Sequence, residues 1–243
     1  KEIEKSKKPI LLNGVTGSGK TSVYIEIIKK LIKEKKEAQI LFLVPEIGLT
    51  PQLENAFFQN FSNIEVGVYN STQSHKKRGN IWLRAANGNL KIILGTRMSI
   101  LLPIPNLKLI IVDEEHDSSY KQFEGMKYSA RDLAVWRASK ENIKIILGTA
   151  TPSPETYLQA QNEKYKQVYL KKQATGSPHA EIKIINKTKS SNECGLSNES
   201  IIEIKKNLKR GQQTIIYLNR KGWAPVVICN DCNCSIQCDN CST

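Results

Sequence analysis

The stretch Gly14-Val15-Thr16-Gly17-Ser18-Gly19-Lys20-Thr21 fits the phosphate-loop pattern of glycine, four residues and then Gly-Lys-Thr. It follows the apolar run 10–12 and precedes residues 22–33, where apolar side chains recur at helical spacing. Glycines let backbone N–H groups approach phosphate oxygens, and the following helix directs its N-terminal dipole at the same anion. The stretch therefore predicts a strand, a phosphate-binding loop and a helix, with Lys20 reaching the β- and γ-phosphates and the Thr21 hydroxyl on magnesium. A glycine-rich turn without a ligand is the alternative.

Length, composition and charge narrow the class of protein. The chain has 243 residues, 40% of them hydrophobic, which is enough for a sizeable core in one large domain or two small ones. No apolar run approaches the roughly 18 residues of a membrane span, and residues 1–8 do not lead into a signal-peptide core. We therefore expect a globular, cytoplasmic protein with no membrane partner. The net charge of +13 favours a polyanion such as nucleic acid, although a solvated lysine-rich surface has the same composition.

Strand-like and helical patterns alternate along the first 170 residues. Apolar strand-like runs lie at 39–44, 64–69, 90–94, 107–112 and 143–147, and helical patterns lie at 49–61, 73–86 and 129–140. This alternation predicts an α/β fold with a doubly wound parallel sheet over residues 9–170, after a polar linker over 1–8. Further along, we expect strands at 182–185 and 214–218 and a helix over 197–210 that Gly211 ends, as the start of a second domain.

A phosphate loop requires a carboxylate that holds magnesium and a base that orients water. The apolar run 109–112 leads into Asp113, Glu114 and Glu115, so these acids follow the carboxyl end of a predicted parallel strand, beside the nucleotide crevice. We expect Asp113 to hold magnesium, directly or through water, and Glu114 to polarise the attacking water. Adjacent acids repel each other and a bound cation relieves that repulsion. A solvated acidic turn is the alternative.

Two Cys-x-x-Cys pairs lie near the end of the sequence, Cys229 with Cys232 and Cys238 with Cys241. In a cytoplasmic protein such pairs favour zinc over disulfides. Because five residues separate the pairs, a single tetrahedral site is cramped. Either the four thiolates share one zinc ion, or each pair combines with another pair further downstream.

Several stretches resemble known helicase motifs. The residues Asp-Glu-Glu-His at 113–116 resemble the second motif of superfamily 2 helicases, and Gly-Thr-Ala-Thr-Pro at 148–152 resembles their third motif, which joins hydrolysis to DNA contact. Residues 43–52 and 95–97 are similar to the strand-tracking motifs of the first lobe. The longer phrases resemble the PriA family of bacterial replication-restart helicases through nearly the whole chain; they are 113–122, 128–138, 149–156 and 217–225.

The resemblance implies a RecA-like first lobe over 9–170, the start of a second lobe over 171–228 and the start of a zinc-binding insertion over 229–243. It implies a 3′-to-5′ DNA helicase that uses ATP and Mg²⁺, binds stalled forks, unwinds the lagging-strand arm and helps load the replicative helicase. The implied partners are forked and single-stranded DNA, primosome proteins and single-stranded-DNA-binding protein, in a bacterial cytoplasm near the nucleoid. The family carries two zinc ions on eight cysteines, which favours pairing of each Cys-x-x-Cys downstream.

The resemblance also assigns roles by position. Nucleotide binding falls to the phosphate loop, and catalysis to Lys20, Asp113 and Glu114. The residues that line the DNA track are Pro45, Glu46, Thr50, Gly95, Thr96 and Arg97. The residues that couple DNA to hydrolysis are His116, Tyr120, Lys121, Phe123, Tyr128, Arg131, Thr149 and Thr151. Aromatic rings alternate with cations in this loop, so the rings can stack on bases and the cations can contact phosphates. The alternative is that the aromatic side chains of the loop are buried in the core.

The family's fork-binding domains, the rest of its second lobe and the arginine that stabilises transition-state charge have no counterpart here. The resemblance thus implies a fragment that binds ATP weakly and unwinds nothing in isolation. Thr149 stands where serine is more usual, which keeps the hydroxyl. Two other readings remain: a different superfamily 2 motor, such as a restriction-enzyme translocase or an RNA helicase, or a non-enzymatic zinc-bearing DNA-binding module, which would tolerate loss of Lys20.

Overall fold

The computed structural model describes residues 6, 8–15, 17–48, 50–170, 181–185, 192–193, 196–217, 227–228 and 235–236. The chain forms two compact units, Lys1–Pro178 and His179–Thr243. Thr16 of the phosphate loop and the four cysteines predicted to bind zinc lie outside the described residues.

A parallel sheet of seven strands forms the centre of the first unit. Its strands are β1 (Ile10–Gly14), β2 (Gln39–Leu43), β3 (Val66–Tyr69), β4 (Ile92–Gly95), β5 (Leu107–Asp113), β6 (Lys144–Thr149) and β7 (Lys166–Leu170). Their order across the sheet is β3-β4-β2-β5-β6-β1-β7, and every neighbouring pair is parallel. The prediction of a parallel α/β sheet is confirmed.

Helices connect the strands of the first unit. They are α1 (Lys20–Glu34), α2 (Pro51–Asn60), α3 (His75–Ala86), α4 (Ala130–Lys140) and α5 (Pro154–Gln161). Short 3₁₀ helices also follow strand ends, at Glu46–Gly48, Arg97–Leu101 and Ser118–Tyr120. Among the helices that the structure describes, none combines the length and the apolar composition that a membrane crossing requires.

The central strands are buried on both faces, which is why their sequences are continuous apolar runs. Alternate side chains enter two separate core layers, so that Leu41 lies in one layer while Ile40 and Phe42 lie in the other. The polar exception, Gln39, is fully buried, and its amide nitrogen donates to the carbonyl oxygens of Ala85 at 3.0 Å and Leu90 at 2.8 Å. Buried polar groups are tolerated when they are hydrogen-bonded in this way.

Local sequence signals set the helix ends. Side-chain oxygens cap the first turns of α2, α3, α4 and α5, and the capping residues are Thr50, Ser74, Ser129 and Ser153. A left-handed residue ends three of these helices, Gly88 after α3, Asn142 after α4 and Glu163 after α5.

The second unit contains α6 (Asn198–Lys209), a two-residue strand pair of Asn192–Glu193 with Leu196–Ser197, and another of Val227–Ile228 with Ser235–Ile236. Gly211, at φ 68°, follows α6 as predicted. The predicted strands at 182–185 and 214–218 are wrong for their described residues, which have no regular secondary structure. Ile182 and Ile215 are 87% and 95% exposed, because an apolar run forms a strand only where a neighbouring strand pairs with it.

Candidate nucleotide-binding and coupling site

The predicted site residues meet where three neighbouring strands end. The phosphate loop follows β1 and the acidic residues follow β5, while β6 lies between these two strands. In the strand register, Asp113 of β5 pairs with Gly148 of β6, and Thr149 of β6 pairs with Asn13 of β1. The carboxyl ends of parallel strands form the usual ligand crevice of such sheets.

The phosphate loop has the backbone that its glycines predict. Gly17 and Gly19 take positive φ angles of 73° and 83°, which glycine adopts at little cost, and the N–H of Ser18 donates to the Val15 carbonyl oxygen at 3.0 Å. The helix α1 then begins at Lys20 with no side-chain cap and no acidic residue in its first turn. Its first N–H groups are therefore available to an anion.

Polar groups of the loop fit a nucleoside triphosphate with magnesium. Within the described part of the chain, the buried Ser18 hydroxyl oxygen has no hydrogen-bond partner. The Lys20 ammonium lies 3.1 Å from the Gly14 carbonyl oxygen and 3.3 Å from Oε1 of Glu114. Thr21 follows in the first turn of α1. A buried ammonium, an unpaired hydroxyl and uncapped N–H groups are the donors that phosphate oxygens require.

Two tyrosines hold Asp113. The Tyr24 hydroxyl donates to Oδ1 of Asp113 at 2.9 Å, and the Tyr120 hydroxyl donates to its main-chain carbonyl oxygen at 2.6 Å. Burial raises the pKa of the Asp113 carboxyl, and the Tyr24 hydrogen bond opposes that rise. Burial also raises the pKa of both phenols well above 10, so both remain donors at neutral pH. The contact of Tyr24 is not visible in the sequence, because helical spacing does not reveal what a phenol contacts.

Glu114 combines a rare backbone conformation with a contact to the phosphate loop. Its φ angle is 46°, a left-handed conformation that costs a non-glycine residue of order 1 kcal/mol or more and that clusters at functional sites. Its carboxylate contacts the Lys20 ammonium through Oε1, and Oε2 lies 3.7 Å from Nδ1 of His116. The structure thus brings together Lys20, Asp113 and Glu114, as the sequence predicted.

Glu115 is a buried carboxylate at which three segments meet. Its Oε1 accepts from the Ser153 N–H at 2.8 Å. Its Oε2 accepts from the hydroxyls of Thr156 at 2.8 Å and Ser153 at 3.1 Å and from the Arg131 guanidinium at 3.2 Å. The donors come from the start of α4 and the start of α5. Sequence reasoning assigned no role to Ser153 or Thr156, and the serine two residues beyond Thr151 carries no signal of this contact.

A second connection joins the acidic residues to the end of β6. Nδ1 of His116 lies 2.7 Å from the Thr149 hydroxyl oxygen, which also accepts from the Thr151 N–H at 3.0 Å. A shift of the acidic segment would therefore move residues 149–151 as well.

The predicted DNA-track residues follow the adjacent strands β2 and β4. The Val44 N–H donates to the Gly95 carbonyl oxygen at 3.0 Å, which joins the two segments. Pro45 and Thr96 are buried, whereas Glu46 is exposed. Thr50 caps α2 by accepting from the Leu53 N–H at 3.3 Å. These residues therefore lie at the carboxyl ends of two internal strands, and β2 is the neighbour of β5, which carries the acidic residues.

The predicted coupling loop divides into a buried half and an exposed half. Phe123, 70% exposed, lies between two short paired strands, Lys121–Gln122 and Tyr128–Ser129. Arg97 Nη1 holds this loop by donating to the carbonyl oxygens of Ser119 at 3.1 Å and Lys121 at 2.9 Å. The exposed ring and the exposed cations Lys121 and Lys127 are accessible to a ligand.

Tyr120 and Arg131 do not face solvent, contrary to the expectation that they contact bases and phosphates. Tyr120 is 1% exposed and Arg131 is 7% exposed. The Tyr120 hydroxyl donates to the Asp113 carbonyl oxygen, and the Arg131 guanidinium donates to the Glu115 carboxylate. These two residues therefore connect the loop to the acidic segment instead of presenting a surface to DNA.

No group of three or more His, Cys, Asp or Glu residues is placed to hold a metal ion within the described ranges. Cys229, Cys232, Cys238 and Cys241 lie outside those ranges. Zinc binding by these cysteines stays a prediction.

The amino-acid sequence is similar to a known protein family and to several known proteins. A family model described as "Type III restriction enzyme, res subunit" matches residues 1–154. Replication restart protein PriA of Haemophilus influenzae is 43% identical over 95% of this chain and 31% of its own length. PriA of Bacillus subtilis is 36% identical over 96% of this chain and 29% of its own length. The chain thus spans about a third of the length of the curated relatives it matches.

Solved structures share the fold. The helicase MrfA bound to DNA superposes with a TM-score of 0.50 at 18% identity, over 68% of this chain and 25% of that one. Domain 2 of the DEAD-box helicase Mss116p, bound to an RNA duplex, gives a TM-score of 0.51 at 14% identity, over 67% of this chain and 63% of that one. These likenesses show that the parallel sheet and its helices form a RecA-like α/β fold.

Proposed function

Because this chain belongs to the helicase family described as "Type III restriction enzyme, res subunit", we propose that it is the nucleotide-binding part of an ATP-dependent DNA helicase. ATP and Mg²⁺ are its cofactors. Lys20 and the N–H groups of the phosphate loop bind the triphosphate, Thr21 and Asp113 hold magnesium, and Glu114 orients the attacking water. Magnesium would neutralise charge on the transferred phosphoryl group.

One observation carries this proposal. Lys20, Asp113 and Glu114, from segments about a hundred positions apart, lie together at the strand ends, with Glu114 3.3 Å from the Lys20 ammonium. A solvated acidic turn has no reason to contact the lysine of a phosphate loop. The left-handed backbone of Glu114 further supports a role in chemistry.

DNA would cross the carboxyl ends of β2 and β4, over the segments that follow these two strands. There the segment after β2, with Pro45, Glu46 and Thr50, starts beside Gly95, because β2 and β4 are paired. N–H groups and hydroxyls of such segments can hold phosphates without reading sequence. The exposed Phe123 offers a ring to a base and the exposed lysines of its loop offer charge to the backbone. Arg97, which holds that loop, joins this surface to Tyr120 and Asp113.

Within this class, the relatives favour a role in restarting stalled replication forks. The PriA proteins matched along this chain are named replication restart proteins. We therefore propose 3′-to-5′ unwinding of forked DNA in a bacterial cytoplasm near the nucleoid, with primosome proteins and single-stranded-DNA-binding protein as partners. Residues 9–170 act as the first motor lobe, after a linker over 1–8, and residues 171–228 begin a second lobe.

Zinc binding by residues 229–243 is part of the same proposal. The two Cys-x-x-Cys pairs either share one ion or each belong to a separate site completed downstream. Zinc content of the full-length protein distinguishes these arrangements. Cys238→Ser should release one zinc ion in either arrangement, and a second ion that remains supports separate sites.

The test of the proposed function is ATP hydrolysis by the full-length protein with and without forked DNA that carries single-stranded arms. We expect strong stimulation by the fork, and a loss of at least about 100-fold in Glu114→Gln, the range for removal of a general base. Glu37→Gln is the matched control, because Glu37 pairs with Lys91 on the exposed surface. A rate of ATP hydrolysis that changes neither on addition of DNA nor in Glu114→Gln would overturn the proposal.

A translocase without a role at forks is the second candidate, because the matching family model is described by a restriction-enzyme subunit. Linear duplex and forked DNA separate the two. Equal stimulation of ATP hydrolysis by both DNAs favours the translocase, whereas preference for the fork favours restart. If hydrolysis by the wild type with DNA is no higher than that of Lys20→Ala, both motors are excluded and a binding module remains.

A further inference from the structure

Tyr24 of α1 reaches across one strand to contact the acidic segment. Its hydroxyl donates to Oδ1 of Asp113 at 2.9 Å, although α1 follows β1 and Asp113 ends β5, with β6 lying between. The hydroxyl passes over Gly148 of β6, where a Cβ atom would lie 1.6 Å from the phenol oxygen. A side chain at position 148 would therefore block this contact.

Packing leaves the Tyr24 hydroxyl little freedom. The ring is fully buried and meets Phe42 edge to face, with ring centroids 5.5 Å apart and planes at 72°. A buried aromatic ring in such a close-packed core holds a single orientation. The hydrogen bond to Asp113 is thus built into the core and does not depend on a mobile surface side chain.

We propose that Tyr24 is a positioning residue: by donating to Oδ1, it orients the Asp113 carboxylate that would hold magnesium beside a bound nucleotide. The inference rests on the proposed function, because it concerns the magnesium–nucleotide site. Tyr24 does not itself contact the nucleotide; it acts through Asp113. Partners that orient a metal-binding side chain contribute about 10- to 100-fold to metal affinity.

Nucleotide binding with and without magnesium distinguishes this role from a role in packing. A hydroxyl that only stabilised the core would, on removal, weaken nucleotide binding equally with and without magnesium. A hydroxyl that orients Asp113 affects only the magnesium-dependent part of binding. The affinity for nucleotide in the absence of magnesium, which depends on Lys20 and the phosphate loop, should be unchanged.

The experiment compares the full-length protein with its Tyr24→Phe variant, which keeps the ring and its contact with Phe42. Equilibrium binding of a fluorescent, non-hydrolysable ATP analogue is measured while free Mg²⁺ is varied, and again in EDTA. We expect the Mg²⁺ concentration at half-saturation to rise at least about 10-fold, with no change in EDTA. Tyr69→Phe is the matched control, because Tyr69 is a partly buried tyrosine packed on the core at the end of β3, the outermost strand of the sheet.

Each outcome decides the inference. Equal Mg²⁺ curves for wild type and Tyr24→Phe overturn it, as does an equal loss of binding with and without Mg²⁺. If Tyr24→Phe does not fold, Gly148→Ala is the second variant: its methyl group would meet both the Tyr24 hydroxyl and Oδ1 of Asp113, so it separates the two partners of the hydrogen bond and should give the same rise. If the wild-type protein itself binds the analogue with no dependence on Mg²⁺, the proposed function fails and the inference fails with it.

Discussion

Arg131 Nη1 lies 3.2 Å from Oε2 of the Glu115 carboxylate, and both side chains are buried. The pair joins the start of α4 to the acidic segment after β5. Ser153 shares the same carboxylate and the same guanidinium, since its hydroxyl accepts from Arg131 at 2.7 Å. One buried network therefore links the coupling loop, the acidic motif and the segment that leads into α5.

Removing one partner of this network should be costly. Arg131→Ala leaves the Glu115 charge buried without its cation, and breaking such a pair typically lowers the free energy of unfolding by about 3–5 kcal/mol. Urea denaturation measures this loss. Arg84→Ala is the control, because Arg84 pairs with Glu65 on the exposed surface at 2.7 Å, where a pair contributes about 1 kcal/mol or less. Similar losses in the two variants would contradict the structural role of the network.

The contact between His116 and Thr149 should transmit the effect of DNA. Thr149→Val removes the hydroxyl that His116 and the Thr151 N–H share. Each hydrogen bond is worth about 1 kcal/mol, so we expect DNA-stimulated ATP hydrolysis by the full-length protein to fall by about 5-fold if one bond matters and about 30-fold if both do. Thr149→Ser keeps the hydroxyl and should retain most of the stimulation. A Thr149→Ser variant as impaired as Thr149→Val would show that the methyl group, and not the hydrogen bond, matters.

Glycine at position 163 should stabilise the protein. Glu163 has φ 55° immediately beyond the cap of α5, where its N–H donates to Ala160 and that of Lys164 donates to Gln159. This is the Schellman arrangement, in which the left-handed residue is usually glycine. Glu163→Gly should raise the free energy of unfolding by up to about 1 kcal/mol. The contact of Lys8 with the Glu163 main-chain carbonyl is retained.

The matched control for this change is Gly88→Ala, which introduces the same strain after α3, where Gly88 has φ 75°. It should lower the free energy of unfolding by a similar amount. If both variants shift stability in the same direction, the left-handed conformation is not the cause. Urea denaturation or thermal unfolding of the two variants and the wild type measures these changes.

Alkaline pH should destabilise the fold through Tyr120. Burial raises the pKa of this phenol well above 10, so the unfolded chain releases its proton first as the pH rises. The stability conferred by the protonated phenol is therefore complete below pH 10 and is lost above it, by about 1.4 kcal/mol per pH unit.

Comparing wild type with Tyr120→Phe isolates this effect from other groups that titrate at high pH. The stability advantage of wild type should be constant from pH 8 to 9.5 and should shrink above pH 10. Ile146→Val in the core removes no titratable group and should give a pH-independent difference. A constant difference for Tyr120→Phe as well would show that the phenol is accessible.

Much of the fold followed from patterns within short windows. The apolar runs at 39–44 and 107–112 became β2 and β5, because strands buried on both faces need uninterrupted apolar side chains. The runs at 182–185 and 214–217 had similar composition but are exposed and irregular. Pairing with a neighbouring strand is not a local property, so sequence pattern does not distinguish these cases.

The aromatic loop shows the same limit at the site. Tyr120 and Phe123 are three positions apart and equally aromatic, yet one is buried against Asp113 and the other is 70% exposed. Their spacing predicts a cluster of rings and cations, but which ring enters the core depends on the space beneath the loop. That space is set by β5 and the helix that follows the loop.

The sequence by itself determined the phosphate loop and the acidic end of a strand, because glycine conformation, charge and apolar periodicity act over a few residues. The tertiary structure decided which side chains meet there. Tyr24 contacts Asp113 across 89 positions and Glu115 contacts Ser153 across 38. The physical reason is the strand order: placing β6 between β1 and β5 brings a glycine under Tyr24 and α5 beside Glu115, and strand order arises only when the whole sheet packs.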